Sequence, residues 1–310
     1  MTHTEEAIDL TSRLIPWRKT IQPGFTWRGW RSAPSGKPLI QFVHGNGLCC
    51  LAYSPFLNEL LKTYDLFLFD IQGHGDSDTG TQFLGWEQQA AIMSEIWQAY
   101  QSEYGEVDRF GLGHSMGGVL TLLRASRFQS DFSRLCLIDP VLLSPSMILG
   151  ARLDQLLRAK RTMPLAEQAR RRVNGWPDEH AAFRFFHRQP FFKAWSSASL
   201  NAFIQHGLQS KKGELKLKCP PSLEASIFDS VPYTLWPAIK KLRTPTDILF
   251  GSKTFPFIEG SVDKACRKNP LIRGHQLPGD HCFVQARPVE TAHYLQPRLT
   301  GAEHAVAASV

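Results

Sequence analysis

Short apolar runs punctuate the chain at residues 38–43 (PLIQFV), 64–70 (YDLFLFD), 107–112 (VDRFGL), 134–138 (RLCLI) and 246–250 (TDILF), with a weaker one at 271–277. Each is too short for a buried helix and is bounded by glycine, proline or charge. They predict strands covered on both faces. Helical patterns lie between them. Tyr53, Phe56, Leu57, Leu60 and Leu61 share one helix face, and Trp86, Ala90, Met93, Trp97 and Tyr100 recur at spacings of four and three. Strands alternating with helices predict an α/β fold, a mostly parallel central sheet flanked by helices. Residues 25–31 (FTWRGWR) predict an antiparallel leading strand.

The rhythm breaks after Pro140. Residues 141–240 show little strand pattern and much helical, basic and aromatic sequence, including AAFRFFHRQPFFKAW at 181–195. The expected organisation is a core of residues 1–140 and 241–300, a helical cap inserted at 141–240, and a flexible tail at 301–310. The aromatics of the insertion have two readings, packing of cap on core or an apolar tunnel. Within the cap, 217–228 (LKCPPSLEASIF) is expected to be a loop approaching the pocket, stiffened by its two prolines.

With 310 residues, 43% of them hydrophobic and 20% charged, the chain holds enough apolar sequence for one substantial core plus the insertion. This composition excludes a disordered chain. The net charge of +7 favours anionic neighbours only weakly. Its concentrated patches, 158–161 (RAKR) and 169–172 (ARRR), read as solvated helix faces, and no nucleic-acid module is present. Six cysteines form no CxxC pair and sit among apolar neighbours, which points to reduced thiols and a cytoplasmic location. The acidic first residues do not resemble a signal peptide. No run reaches the roughly 18 apolar residues of a membrane span, so no stable membrane insertion is expected.

The chemistry starts at 109–118 (RFGLGHSMGG). Gly113-His114-Ser115-Met116-Gly117 fits G-x-S-x-G, between a predicted strand and a predicted helix. In such a turn the serine takes a strained conformation, and a Cβ at the flanking positions would clash. The following helix would aim backbone N–H groups at the serine, ready for a developing oxyanion.

Together with FVHGNG at 42–47, FDIQGHGDSD at 69–78, LIDP at 137–140 and GDH at 279–281, the elbow resembles the α/β-hydrolase superfamily, in its serine-nucleophile branch with a helical cap. The five motifs stand in family order and cover nearly the whole chain. The resemblance implies Ser115 as nucleophile and His281 as base, because a serine hydroxyl is weak without a base in reach. His44, His74 and His114 belong to turns and read as bracing residues, although His44 and Gly47, with Phe186 and Trp195, are also expected among the substrate contacts. The implied oxyanion donors are the backbone N–H groups of Met116 and Asn46. An asparagine at position 46 also occurs in the halide site of aspartate-nucleophile dehalogenases, a chemistry that Ser115 argues against.

The family's usual third residue is missing. Thr254 of GSKT (251–254) stands where an aspartate is expected. The acid is then Asp139 of LIDP, or Glu259 or Asp263 reaching back, or the site works as a Ser–His pair; Asp139 is preferred. The resulting expectation is a serine hydrolase of the esterase or lipase kind. It would cleave a carboxylic ester or related small acyl compound through an acyl-enzyme, with no metal and no cofactor. Alternatives are amide or peptide, lactone or C–C hydrolysis, perhydrolysis, or a ligand-binding protein on the same fold. A homodimer is an open expectation.

Overall fold

Alternation along the strands divides the core into two halves, one on each face of the sheet. In the third strand Leu39 and Val43 pack on one side and Ile40 and Phe42 on the other; in the fourth, Phe67 and Phe69 oppose Leu66 and Leu68. A computed structural model describes residues 9–22, 24–127, 132–157 and 163–301. The predicted basic run at 158–161 and all but Gly301 of the predicted tail lie outside them.

The chain opens with β1 (Ile15–Gln22), β2 (Phe25–Arg31) and β3 (Leu39–Val43), then a 3-10 turn (Cys50–Tyr53), α1 (Ser54–Leu61), β4 (Asp65–Asp70) and α2 (Trp86–Tyr100). The centre of the fold is β5 (Arg109–His114), α3 (Met116–Arg127) and β6 (Arg134–Ile138). Next come α4 (Pro145–Leu156), α5 (Pro164–Arg170), α6 (Glu179–His187), α7 (Ser197–Gly207), β7 (Leu208–Lys211), β8 (Glu214–Leu217), α8 (Pro221–Phe228) and α9 (Leu235–Lys241). The chain then returns through β9 (Thr246–Gly251), α10 (Ile258–Lys268), β10 (Ile272–Leu277), α11 (Phe283–Ala286) and α12 (Pro288–Thr300).

The sheet order is β1-β2-β4-β3-β5-β6-β9-β10. β1 and β2 are antiparallel, β2 meets β4 antiparallel, and all neighbours from β4 to β10 are parallel. The predicted α/β fold is therefore present. The antiparallel leading strand also has a partner, β1, that the hydrophobic pattern did not announce: its burial alternates with charged residues at an exposed sheet edge.

Three boundaries differ from expectation. The fifth strand starts later and runs to His114, because its pairing with β3 and β6 continues through Gly113↔Val43 and His114↔Ile138. The segment between β6 and β9 is not free of strands: β7 and β8 form a small antiparallel hairpin. The segment expected as a loop at 217–228 is mostly α8, with Pro220 and Pro221 at its start, where a missing N–H costs nothing.

The aromatics of α6 and the turn after it belong to the core. Phe186 packs against Trp176, Phe192 and Phe203 at ring separations of 4.8, 4.9 and 5.2 Å. This cluster continues into the apolar layer containing α1, α7 and α12. The packing reading of these residues is the one the geometry fits.

Candidate active site

Parallel strands put the loops after β3, β5, β6, β9 and β10 at one sheet edge, and the site assembles there. Ser115 follows β5 with φ +55, and Asp139 follows β6 with φ +42. Each such conformation costs roughly 1–3 kcal/mol and persists only where neighbours fix it. Here Ser115 N donates to Ile138 O at 2.9 Å, and Asp139 N donates to Leu249 O at 2.6 Å. The glycines of the elbow are obligatory by contact. A Cβ at Gly113 would stand 2.3 Å from Gly117 O, and one at Gly117 would stand 2.2 Å from Val43 O.

Ser115, His281 and Asp139 come together from separate loops. His281 Nε2 lies 2.8 Å from Ser115 Oγ, and His281 Nδ1 lies 3.4 Å from Asp139 Oδ2. With Nδ1 facing a carboxylate, the ring proton sits there and Nε2 accepts from the serine hydroxyl. At 3.4 Å the His281–Asp139 contact is an ion-pair distance, and Nδ1 has no aligned hydrogen bond in this resting arrangement. Asp139 is fully buried, and its other oxygen accepts from Thr254 Oγ1 at 3.0 Å. Phe255 packs on the His281 ring at 4.7 Å.

The other acids lie elsewhere. Glu259 and Asp263 are exposed on α10. Asp280 accepts from Cys282 N, two residues on. Asp247, near the start of β9, bonds His275 at the opposite end of the sheet. Asp76 pairs with Lys218 from the β6–β9 segment at 2.7 Å, and Asp78, two residues on, pairs with Arg28.

The loop after β3 runs beside the elbow. A Cβ on Gly45 would come within 3.2 Å of Ser115 Cβ. Among the described residues the backbone N–H groups of Asn46 and Met116 have no protein acceptor. Met116 is the first residue of α3, where an N–H has no partner within the helix. The Asn46 side chain is tied to the β6–β9 segment: Nδ2 donates to Glu224 O at 3.1 Å. The Glu224 carboxylate in turn pairs with Arg172 at 2.6 Å above Gly47.

His44 and His74 are braces. His44 accepts from Ile71 N at 3.1 Å and donates to Gly45 O at 2.8 Å. His74 accepts from Gly47 N at 2.9 Å and donates to Gln72 O at 2.9 Å. Burial holds both neutral, His44 well below the ordinary range and His74 down at about 4. His44 is therefore corrected as a substrate contact, since its ring is wholly buried with both nitrogens engaged. Phe186 and Trp195, 1% and 5% exposed in the aromatic cluster, likewise present no free face. Gly47 remains at the site, at φ +77 beneath Glu224.

An open groove between α4 and α10 is lined by Ser144, Leu149, Phe257, Ser261 and Lys264. Its lining does not include Ser115; Phe257, stacked on Phe255, connects it to the ring of His281. Sequence reading missed two features: the Thr254–Asp139 bond, spanning 115 positions, and a Tyr53–His114 contact of 2.7 Å spanning 61. Tyr53 had registered only as part of an apolar helix face.

A parallel sheet with a strand–serine–helix turn and a histidine from the last strand's loop defines an α/β hydrolase. Residues 42–293 match the alpha/beta hydrolase family, and the chain belongs to it. Among curated proteins it is 35% identical to monoglyceride lipase of Rattus norvegicus over 121 residues, 38% of this chain and 39% of that protein. It is 29% identical to protein phosphatase methylesterase 1 of Candida albicans over 112 residues, 35% of this chain and 31% of that one. The chain thus spans about two fifths or less of the length of the curated relatives it matches. Among solved structures, the peroxisomal alpha-beta-hydrolase Lpx1 of Saccharomyces cerevisiae superposes with TM-score 0.74 at 18% identity, over 97% of this chain and 91% of that one. The esterase Rv0045c of M. tuberculosis gives 0.65 at 17%, over 92% of each. These likenesses concern the fold. No helix among the described residues is long and apolar enough to cross a membrane.

Proposed function

We propose that the protein is a serine hydrolase that cleaves a carboxylic ester, or a related small acyl compound, through an acyl-enzyme. The observation that carries this reading is the 2.8 Å contact between Ser115 Oγ and His281 Nε2, with the buried Asp139 carboxylate behind the ring. His281 takes the serine proton as Oγ attacks the acyl carbonyl, then returns it to the leaving alcohol; water repeats the cycle to release the acid. Asp139 keeps the ring proton on Nδ1 and stabilises the imidazolium. The free N–H groups of Met116 and Asn46 receive the oxyanion, each contributing about 3 kcal/mol to the transition state.

The names of the lipase and methylesterase relatives support ester hydrolysis. The β6–β9 segment serves as the cap. It touches the oxyanion loop through Glu224 and Arg172, so acyl-group selection falls to it. A panel of p-nitrophenyl esters of graded acyl length tests the reading: wild type hydrolyses at least one chain length, and Ser115→Ala hydrolyses none. Turnover that survives Ser115→Ala contradicts it.

A further inference from the structure

We propose that Tyr53 and His114 are positioning residues: a buried hydrogen-bond chain through them holds the oxyanion loop and the His281 loop in register with Ser115. This rests on the reading of Ser115 and His281 as the reacting pair. The chain has three links. Gly45 N donates to Tyr53 Oη at 3.1 Å, Tyr53 Oη meets His114 Nδ1 at 2.7 Å, and His114 Nε2 meets the carbonyl oxygen of His281 at 2.9 Å.

Chemistry fixes the direction of every link. A carbonyl only accepts, so the proton of His114 sits on Nε2. Burial, aided by the His281 ring, keeps His114 neutral, lowering it to about 3. A neutral ring protonated at Nε2 accepts at Nδ1, so Tyr53 must donate there. The tyrosine has one proton, and its oxygen is then free to accept from Gly45. No reversed arrangement satisfies all three.

The chain joins three loops and touches the reacting groups at both ends. Its first member, Gly45, precedes the Asn46 donor and abuts Ser115 Cβ. Its last is the backbone of the base itself. Tyr53 and His114 are each 1% exposed, and both rings pack among apolar and aromatic neighbours. The titratable groups around them are His281 from the loop after β10, His44 from the loop after β3, and the buried thiols Cys282 and Cys49. Packing alone would be served as well by Phe and Leu, without the desolvation of two polar groups. A satisfied polar chain fixes one geometry, which apolar packing does not.

The test uses Tyr53→Phe, which keeps the ring and removes both links made by the hydroxyl, with His114→Asn and the double variant. On the best p-nitrophenyl ester, each single variant should lose about 10- to 100-fold in kcat, the range a small misplacement of reacting groups produces. KM should stay within about threefold, as for an interaction made only in the transition state. The double variant should be no worse than the poorer single, because one broken link disables the chain. Fluorophosphonate labelling of Ser115, which requires no particular ester, should slow in parallel. Nitrogen-15 NMR of the resting wild type should show His114 as the Nε2–H tautomer, unchanged from about pH 5 to 9. Its Nδ1 resonance should move in Tyr53→Phe. Unchanged kcat and labelling in folded Tyr53→Phe, multiplicative losses in the double variant, or a His114 that titrates in that range would each overturn the proposal. A wild type that hydrolyses no ester would instead count against the esterase reading, while labelling and NMR still decide the hydrogen-bond chain.

Discussion

Thr254 donates a 3.0 Å hydrogen bond to Asp139, so the residue at the family's usual acid position holds the acid proposed here in its place. The substitution is geometrically cheap. β6 and β9 are adjacent parallel strands, and the loops after them leave the sheet side by side, both within reach of His281. A carboxylate from either strand end meets the same ring nitrogen.

This arrangement predicts a graded series. Asp139→Asn should lower kcat by roughly 10³-fold or more, since the amide supports the wrong histidine tautomer. Thr254→Val should cost about 10-fold, the loss of one hydrogen bond to a charged group. Glu259→Gln and Asp263→Asn should stay within about twofold, as expected of exposed side chains away from the site. Adding Thr254→Asp to Asp139→Ala should recover activity over Asp139→Ala alone. Steady-state kinetics on one ester decides all of these; equal, small effects throughout would remove Asp139 from the mechanism.

The elbow glycines should be intolerant of a single methyl group. Gly117→Ala forces a Cβ to within 2.2 Å of the Val43 carbonyl oxygen, backbone that cannot swing aside. The expected destabilisation is about 1–3 kcal/mol or more, with loss of activity. Gly260→Ala, open on α10, should be neutral or stabilising by a few tenths to about 1 kcal/mol. Thermal unfolding of the two variants side by side checks both.

Stability should fall with acid. His114 and His74 are held down at about 3 and 4, and His44 and His206 are also lowered, all chiefly by burial. Below about 6.5 the unfolded chain binds protons at these sites and the folded chain does not, so each unit of pH drop costs up to about 1.4 kcal/mol per fully buried histidine. Asp70, raised to about 6 by burial, works the other way between its two values and offsets one of them. The urea midpoint should therefore decline from pH 7.5 to pH 5 (about 1 to 2 units below the histidine range). A midpoint that holds flat or rises contradicts the buried, neutral assignment.

The thiols should be inert while the protein is folded. Cys49, Cys50, Cys136, Cys219 and Cys282 are buried and Cys266 is partly exposed. Burial raises all six above the ordinary thiol range. Iodoacetamide at mildly alkaline pH should modify Cys266 slowly and the others only after unfolding; mass spectrometry of the native protein reads the outcome.

The parts of this molecule legible in sequence are those dictated locally. Buried parallel strands betray themselves as apolar runs, and the elbow's glycines are demanded by contacts within one turn. The approach of Asp139 to His281 could be anticipated because β6 neighbours β5, the strand that leads into Ser115. β1 was not, because an exposed edge strand needs no apolar alternation. The β7–β8 hairpin was hidden for a similar reason: three of the four residues of β7 are exposed. Pro220 and Pro221 suggested a stiff loop because proline both breaks helices and begins them. The contacts of Thr254 and Tyr53 are tertiary, and nothing in their flanking residues encodes a partner so far along the chain.

The most direct measurement is the site of covalent capture by a fluorophosphonate, read by peptide mass spectrometry. A stoichiometric adduct is expected on Ser115 in the wild type and none in Ser115→Ala, with labelling sharply slowed in His281→Ala. A folded wild type that stays unlabelled at Ser115, or an adduct on another residue with equal yield in Ser115→Ala, would contradict it.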